Sequence, residues 1–237
     1  MGRAFEFRKD RKLKRWDKMS KAFTRIGKEI AIAAKAGGPE PDTNPRLRAA
    51  IANAKGVNMP KDRIEGAIKR ATSKDEKDYE ETLFEGKGPH GVALMVECAT
   101  DNNVRTVANI RNHFNKKGGV LGNSGSLAFM FDRKGIFMLP LEGLNIEEME
   151  LELIDAGADD FKLHEDAFEV IVPFTEFGAM QKALEERNIE PTSSELLRIP
   201  STLVELSDEQ MEEVYALIER LEEDDDVQNV YHNMIEE

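Results

Sequence analysis

A chain of 237 residues, 40% of them hydrophobic, is long enough for one to three domains with buried cores, and it has no uncharged run of the about 18 residues that a membrane span requires. A single cysteine, Cys98, excludes an internal disulfide framework and fits a reducing compartment, and the basic N-terminus has no apolar segment behind it that would make a secretory signal, so a cytoplasmic location is expected. The net charge of −13 argues against a polyanion partner only until its distribution is counted: residues 1–77 hold 21 Lys+Arg against 10 Asp+Glu, and the remainder holds 12 against 36. One end is built to meet a polyanion and the other to repel it. Physiological salt screens exposed charges beyond about 8 Å, so the acidic part does not cancel the basic part at contact distance.

Residues 1–16 interleave Arg3, Arg8, Lys9, Arg11, Lys12, Lys14 and Arg15 with Phe5, Phe7, Leu13 and Trp16. They read either as a basic arm able to hold phosphates and stack on bases or as a solvated tail packed through Trp16. Over 17–36 the helical period is plain. Met19, Phe23, Ile26, Ile30, Ala33 and Ala34 share one face, and Lys14, Lys18, Lys21, Arg25 and Lys28 project from the other until Gly37 and Gly38 end the helix. Asn44 and Pro45 supply an N-cap and a first-turn proline to a second helix with Leu47, Ile51 and Ala54 inside and Arg46, Arg48 and Lys55 at its flank. A third helix starts at Pro60, buries Ile64, Ala67 and Ile68, and shows Lys61, Arg63, Lys69 and Arg70. The candidate nucleic-acid contacts are therefore Arg8, Lys9, Arg11, Lys12, Lys14, Arg15, Lys18, Lys21, Arg25, Lys28, Arg46, Arg48, Lys61, Arg63, Lys69 and Arg70. A polar stretch at 72–78 reads as a linker.

Residues 82–101 predict two strands around a turn at 86–91, followed by a helix capped by 100–103 with Val107, Ile110 and Phe114 turned inward. The glycine-rich stretch 116–126 comes next, and then a strand in which Leu127, Phe129 and Phe131 alternate. From Gly135 a complete βαββαβ pattern runs through strand 136–140, helix 146–156, strands 160–164 and 167–173, helix 175–187 and strand 194–199, the split βαβ of ferredoxin-like folds. A strand at 202–206, a helix from Asp208 and a strand at 227–232 close the chain. Neither the unfinished ββαβ before residue 133 nor the terminal βαβ can bury both faces of its sheet alone, and joining them solves both burials. The expected fold class is α+β: a basic three-helix domain at 1–77, a discontinuous α/β domain at 78–133 plus 201–237, and a second ferredoxin-like domain at 134–200 inserted into it.

Sites for covalent chemistry are few. Gly119, Gly122 and Gly125 could suggest a phosphate cradle, but phosphate loops follow a strand and open a helix, whereas this one follows a helix and opens a strand, so it reads as a turn. His90, His113, His164 and His232 are scattered with no pair at ligand spacing, so neither a metal site nor a cofactor is expected. Cys98 with His113 is the one conceivable nucleophile and base, against the ordinary reading of a buried strand cysteine. Asp208, Glu209, Glu212 and Glu213 read as the solvent face of a helix, and Asp224 to Asp226 as a solvated block of like charge lacking the spacing of a calcium loop.

Several stretches together resemble the YebC/PmpR family: 44–51 (NPRLRAAI), 58–65 (NMPKDRIE), 97–102 (ECATDN) with Arg105 and Thr106, 118–135, and 226–233 (DVQNVYHN). The resemblance runs over nearly the whole chain. It implies a three-domain fold and a role in gene expression without enzymatic activity. Bacterial members are commonly described as DNA-binding transcriptional regulators, similar organellar proteins as translational activators, and the family is also associated with ribosomes stalled at proline-rich sequences. Members usually open with Gly-His-Ser-Lys-Trp. Here the start is Gly2-Arg3-Ala4-Phe5-Glu6-Phe7-Arg8-Lys9 and the tryptophan stands at position 16, so Arg8 to Arg15 carry over only as a charged region.

Three functions follow as expectations. The first is a monomeric regulator that binds DNA through its basic helices, and the second a translation factor whose basic end enters ribosomal RNA on the ribosome. The third is a small-molecule sensor built on the paired α/β domains. None involves a membrane.

Overall fold

The computed structural model describes residues 3–73, 78–143, 145–165 and 167–235, with 3–19 and 147 described by their backbone alone. The chain divides into two compact units, Met1–Asp78 and Tyr79–Glu237.

The first unit holds three helices: α1 (Arg3–Gly37), α2 (Pro45–Gly56) and α3 (Lys61–Ala71). Residues 1–16 were expected as an arm apart from the helix, yet α1 starts at Arg3, because 3–26 contains neither glycine nor proline and is rich in residues of good helix propensity. The core is Ile30, Ala33, Ala34, Leu47, Ala50, Ala54, Met59, Ile64 and Ala67. Its many alanines let the three helices approach closely. Asn44 is the joint between the first two. Its Oδ1 accepts from the Leu47 N–H at 3.1 Å as an N-cap, and its Nδ2 donates to the carbonyls of Ala33 and Gly38, each at 2.8 Å. A Cβ on Gly37 would lie 2.7 Å from that amide nitrogen, so the α1 terminus needs glycine there for clearance.

The second unit contains two four-stranded antiparallel sheets. The first is built from β1 (Glu80–Lys87), β2 (Ala93–Thr100), β3 (Val120–Leu121) and β8 (Val227–His232) in the order β3-β1-β2-β8, with α4 (Asn103–Lys116) and α7 (Asp208–Glu222) packed on one face. The last strand of the chain thus pairs with β2, with Leu94 opposite His232 and Val96 opposite Val230. The second sheet, in the order β5-β6-β4-β7, uses β4 (Phe131–Pro140), β5 (Asp160–Leu163), β6 (Ala167–Pro173) and β7 (Ser193–Pro200). With α5 (Ile146–Asp155) and α6 (Phe177–Glu186) its connectivity is the expected βαββαβ. Phe137, Leu139, Phe168, Val170, Val172, Leu153, Met180 and Leu184 fill the space between that sheet and its helices.

Two expected strands are absent. Residues 128–130 form a 3-10 turn in place of a strand, with Leu127 and Phe131 buried and Phe129 79% exposed. The cause is Glu85, whose buried carboxylate accepts from the backbone N–H of Gly125 at 2.7 Å and of Leu127 at 2.5 Å and draws the loop across the sheet. Residues 202–206 make only a parallel bridge, Val204 to Met234, because the Asn233 side chain takes up the Thr202 carbonyl.

Asn44→Ala removes the α2 cap and leaves two carbonyls of the α1 terminus without their donor. It should cost the first unit about 2 kcal/mol in chemical denaturation. A loss below about 0.5 kcal/mol would show that solvent replaces the joint.

Candidate nucleic-acid interface

The candidate contacts divide by burial. Those on the first half of α1, Arg8, Lys9, Arg11, Lys12, Lys14, Arg15 and Lys18, belong to a helical backbone, and their side chains lie outside the described residues. Farther along, Lys21 and Arg25 are half-buried, and Lys28 is buried at 8% exposure. Lys28 therefore does not project from the open face of α1 as the helical period predicted. Lys28 lies on the side of α1 away from Ile26 and Ile30, so the folded chain covers more of the helix than its apolar stripe alone. Arg48 is also committed, its Nη1 donating to the carbonyls of Pro41 at 2.8 Å and Asp42 at 3.0 Å, which holds the turn before α2.

Arg46 at the start of α2 and Lys61, Arg63, Lys69 and Arg70 on α3 are exposed. At 100° per residue, Lys61 and Lys69 border one side of the buried stripe made by Ile64, Ala67 and Ile68, and Arg63 and Arg70 border the other, so the cations span the solvent side of α3. Lys61 lies 3.5 Å from Glu65, an exposed pair worth little. The Arg63 guanidinium stands 5.9 Å from the centre of the Phe23 ring on α1, which steadies the side chain without neutralising it.

The second unit sets half of its twelve Lys and Arg residues against its own carboxylates. Asp226 is buried, and its Oδ2 accepts from Arg105 Nη2 at 2.7 Å, Thr106 Oγ1 at 2.9 Å and Thr100 Oγ1 at 3.2 Å. The block 224–226 is thus anchored at its last residue, contrary to the solvated reading. Hydrogen bonds and charge from Asp226, and then Asp101, hold the Arg105 guanidinium above its usual value. Glu97 on β2 receives Arg198 Nε at 2.9 Å, the Tyr231 hydroxyl at 3.0 Å and Asn229 Nδ2 at 3.2 Å. Burial, reinforced by the Glu97 carboxylate, pushes the Tyr231 phenol far above its ordinary range. His113 Nε2 lies 3.1 Å from Asp224 Oδ2, and Cys98 is buried in the core of the first sheet, so the histidine is engaged by a carboxylate. Among the described residues no group of His, Cys, Asp and Glu is arranged to hold a metal ion, and no helix is long and apolar enough to cross a membrane.

A cationic helical unit followed by an anionic unit of two sheets, in which the polar clusters hold strands and loops together, makes a mixed α+β fold. Residues 3–74 match the family model described as the TACO1/YebC protein N-terminal domain, and residues 79–234 match that of the TACO1/YebC second and third domain. The chain belongs to the TACO1/YebC family. It is 56% identical over 237 residues to a protein of Flavobacterium johnsoniae and 57% identical over 238 residues to one of Parabacteroides distasonis, both named "Probable transcriptional regulatory protein", with 100% of this chain covered in each case and 100% and 98% of those proteins. Its fold is similar to the crystal structure of the conserved hypothetical protein Aq1575 from Aquifex aeolicus, with a TM-score of 0.79 at 36% identity over 91% of this chain and 90% of that one.

Burial separates the cations by experiment. Lys28→Glu places the opposite charge in a buried position and should destabilise the first unit by about 3 kcal/mol, whereas Lys69→Glu with Arg70→Glu should stay within about 0.5 kcal/mol of the parent, both read from denaturant midpoints.

Proposed function

We propose that the protein is a non-enzymatic, cytoplasmic regulator of transcription that binds DNA through its basic helical unit, acting as a monomer. The observation that carries this is the exposed cationic side of α3, Lys61, Arg63, Lys69 and Arg70, set on a helix whose opposite side is fixed in a packed core. Charges on a rigid helix lose little freedom on meeting phosphates, and the counterions they release from the polymer drive binding. The names of the relatives from Flavobacterium johnsoniae and Parabacteroides distasonis support a regulatory role. In this reading residues 1–77 are the binding domain. Residues 78–133 with 201–237 form one α/β domain, supported by the pairing of β8 with β2, and residues 134–200 form the domain inserted into it.

A second reading is favoured by one feature of α3. Its sequence, KDRIEGAIKRA, carries no asparagine or glutamine to pair with an adenine edge, and its lysines and arginines suit backbone phosphates without any need for base edges. Contacts of that kind serve equally on ribosomal RNA, which is what a translation factor acting at stalled ribosomes would need.

The variant carrying Lys61→Glu, Arg63→Glu, Lys69→Glu and Arg70→Glu should lose at least about tenfold in affinity for a short DNA duplex at low salt, and its dependence of log K on log salt should flatten by about 0.9 for each phosphate contact removed. Unchanged affinity and slope would remove α3 from the interface. If the parent binds ribosomes and the variant does not, while duplex affinity is negligible in both, the second reading replaces the first.

A further inference from the structure

The acidic unit carries a group of cations near one edge of its first sheet. Arg105, Lys134, Lys162, Lys182, Arg187 and Arg198 each face a carboxylate at 4 Å or less. Lys87, Lys116 and Lys117 are exposed, and among the described residues none of the three has an ion pair. They come from different parts of the chain and flank the edge strand β3, Lys116 and Lys117 on the face where α4 packs and Lys87 on the other. Lys116 ends α4 and Lys117 caps it, three residues before β3, and Lys87 ends β1 directly opposite Val120 of β3. A helix C-terminus attracts lysine and by itself accounts for Lys116, but it does not bring Lys87 there.

The loop leaving this corner is held from beneath. Gly122 donates to the Glu85 carbonyl at 2.7 Å, and the Glu85 carboxylate takes the N–H groups of Gly125 and Leu127. Close packing fixes the preceding turn as well, since a Cβ on Gly119 would lie 2.8 Å from the Lys87 carbonyl. Glu85 and Lys87 share one side of β1, because Gly86 between them turns toward the Phe114 ring in the core. The loop therefore runs along the side from which Lys87 projects. Val120 at 67% exposure and Phe129 at 79% stand on it, beside the exposed Asn123, Ser124 and Ser126. Cations, a presented phenyl ring and small polar groups on a fixed loop are the chemistry that takes phosphates and an unstacked base together.

We propose that the corner formed by Lys87, Lys116, Lys117 and Phe129 is a second nucleic-acid contact, separate from the helical unit, and that it takes a single strand. The lysines engage the phosphates and Phe129 stacks on a base, which a paired duplex does not offer. The inference rests on the reading of the protein as a nucleic-acid binder, but on different residues and a different form of the polymer.

The test uses the full chain with three probes: an oligouridylate, an oligothymidylate and a short DNA duplex. Lys116→Glu with Lys117→Glu, and separately Phe129→Ala, should each weaken binding of the single strands about tenfold and leave duplex affinity unchanged. The α3 charge-reversal variant should do the opposite. Photocrosslinking of the uridylate to residues 116–130 completes the assignment, and the ratio of uridylate to thymidylate affinity tells whether the strand is RNA or DNA. Single-strand affinity unchanged in both loop variants, or crosslinks confined to residues 1–78, overturns the proposal. Loss of duplex binding in the parent chain alongside loop crosslinks to the uridylate overturns the duplex reading of the helical unit and leaves the corner standing.

Discussion

Asp226 is the constraint on which the second unit depends. A carboxylate taken out of water costs several kcal/mol unless donors replace the solvent, and here they come from the end of β2 and the first turns of α4: Thr100, Arg105 and Thr106. The Asp226 carbonyl also accepts the Ala99 N–H at 2.8 Å, where the β2–β8 register shifts between Glu97 and Cys98. Asp226 therefore fastens the approach to β8 onto the end of β2, and the remaining residues of β8 pair along that strand. This fastening sets α7 beside α4 on the same face, where Val214, Leu217 and Leu221 meet Ile110 and Phe114. The sheet acquires its outer strand, and the core its second helix, through one buried charge.

The elements that rest on local chemistry were legible before the structure. Asn44 with Pro45 announces α2, the amphipathic stretch from Asp208 marks α7, and the alternation of Phe168, Val170 and Val172 marks β6. What escaped is what distant groups impose. Leu127, Phe129 and Phe131 have the period of a strand, but Glu85, some forty residues earlier, captures the backbone of the loop and turns Phe129 outward. The same holds for the candidate contacts. Helical period placed Lys28 on the open side of α1, and only the packed unit buries it. Arg48 carried the same charge as Arg46 in the sequence, and only the folded turn shows its guanidinium on the carbonyls of Pro41 and Asp42. Lys87, Lys116 and Lys117 were hidden by composition, because three lysines within the acidic 160 residues from 78 onward vanish in an average and emerge only when β1 pairs with β3.

Segregated charge then has a simple physical reading. Ion pairs such as Lys134 with Asp159 at 2.6 Å and Arg187 with Glu152 at 2.6 Å consume cations of the acidic unit inside the unit itself, and the surplus carboxylates remain on its surface. In the helical unit the balance is reversed, and the exposed side of α3 keeps its cations. A chain of net charge −13 can therefore present a local surface that favours phosphate, because the contact is decided within about one screening length and not by the total.

The acidic surplus has a function of its own in such a scheme. Repulsion between surface carboxylates and a polyanion costs free energy wherever the two come within a screening length, so a polymer that lies against the helical unit is disfavoured from spreading onto the rest of the protein. Under the proposed function, such repulsion would confine a polyanion to places where carboxylates are sparse. Binding by a uniformly basic protein of the same size would gain affinity and lose that confinement. Lys87, Lys116 and Lys117 stand out for this reason: among the described residues of a largely acidic unit they are exposed and have no carboxylate partner.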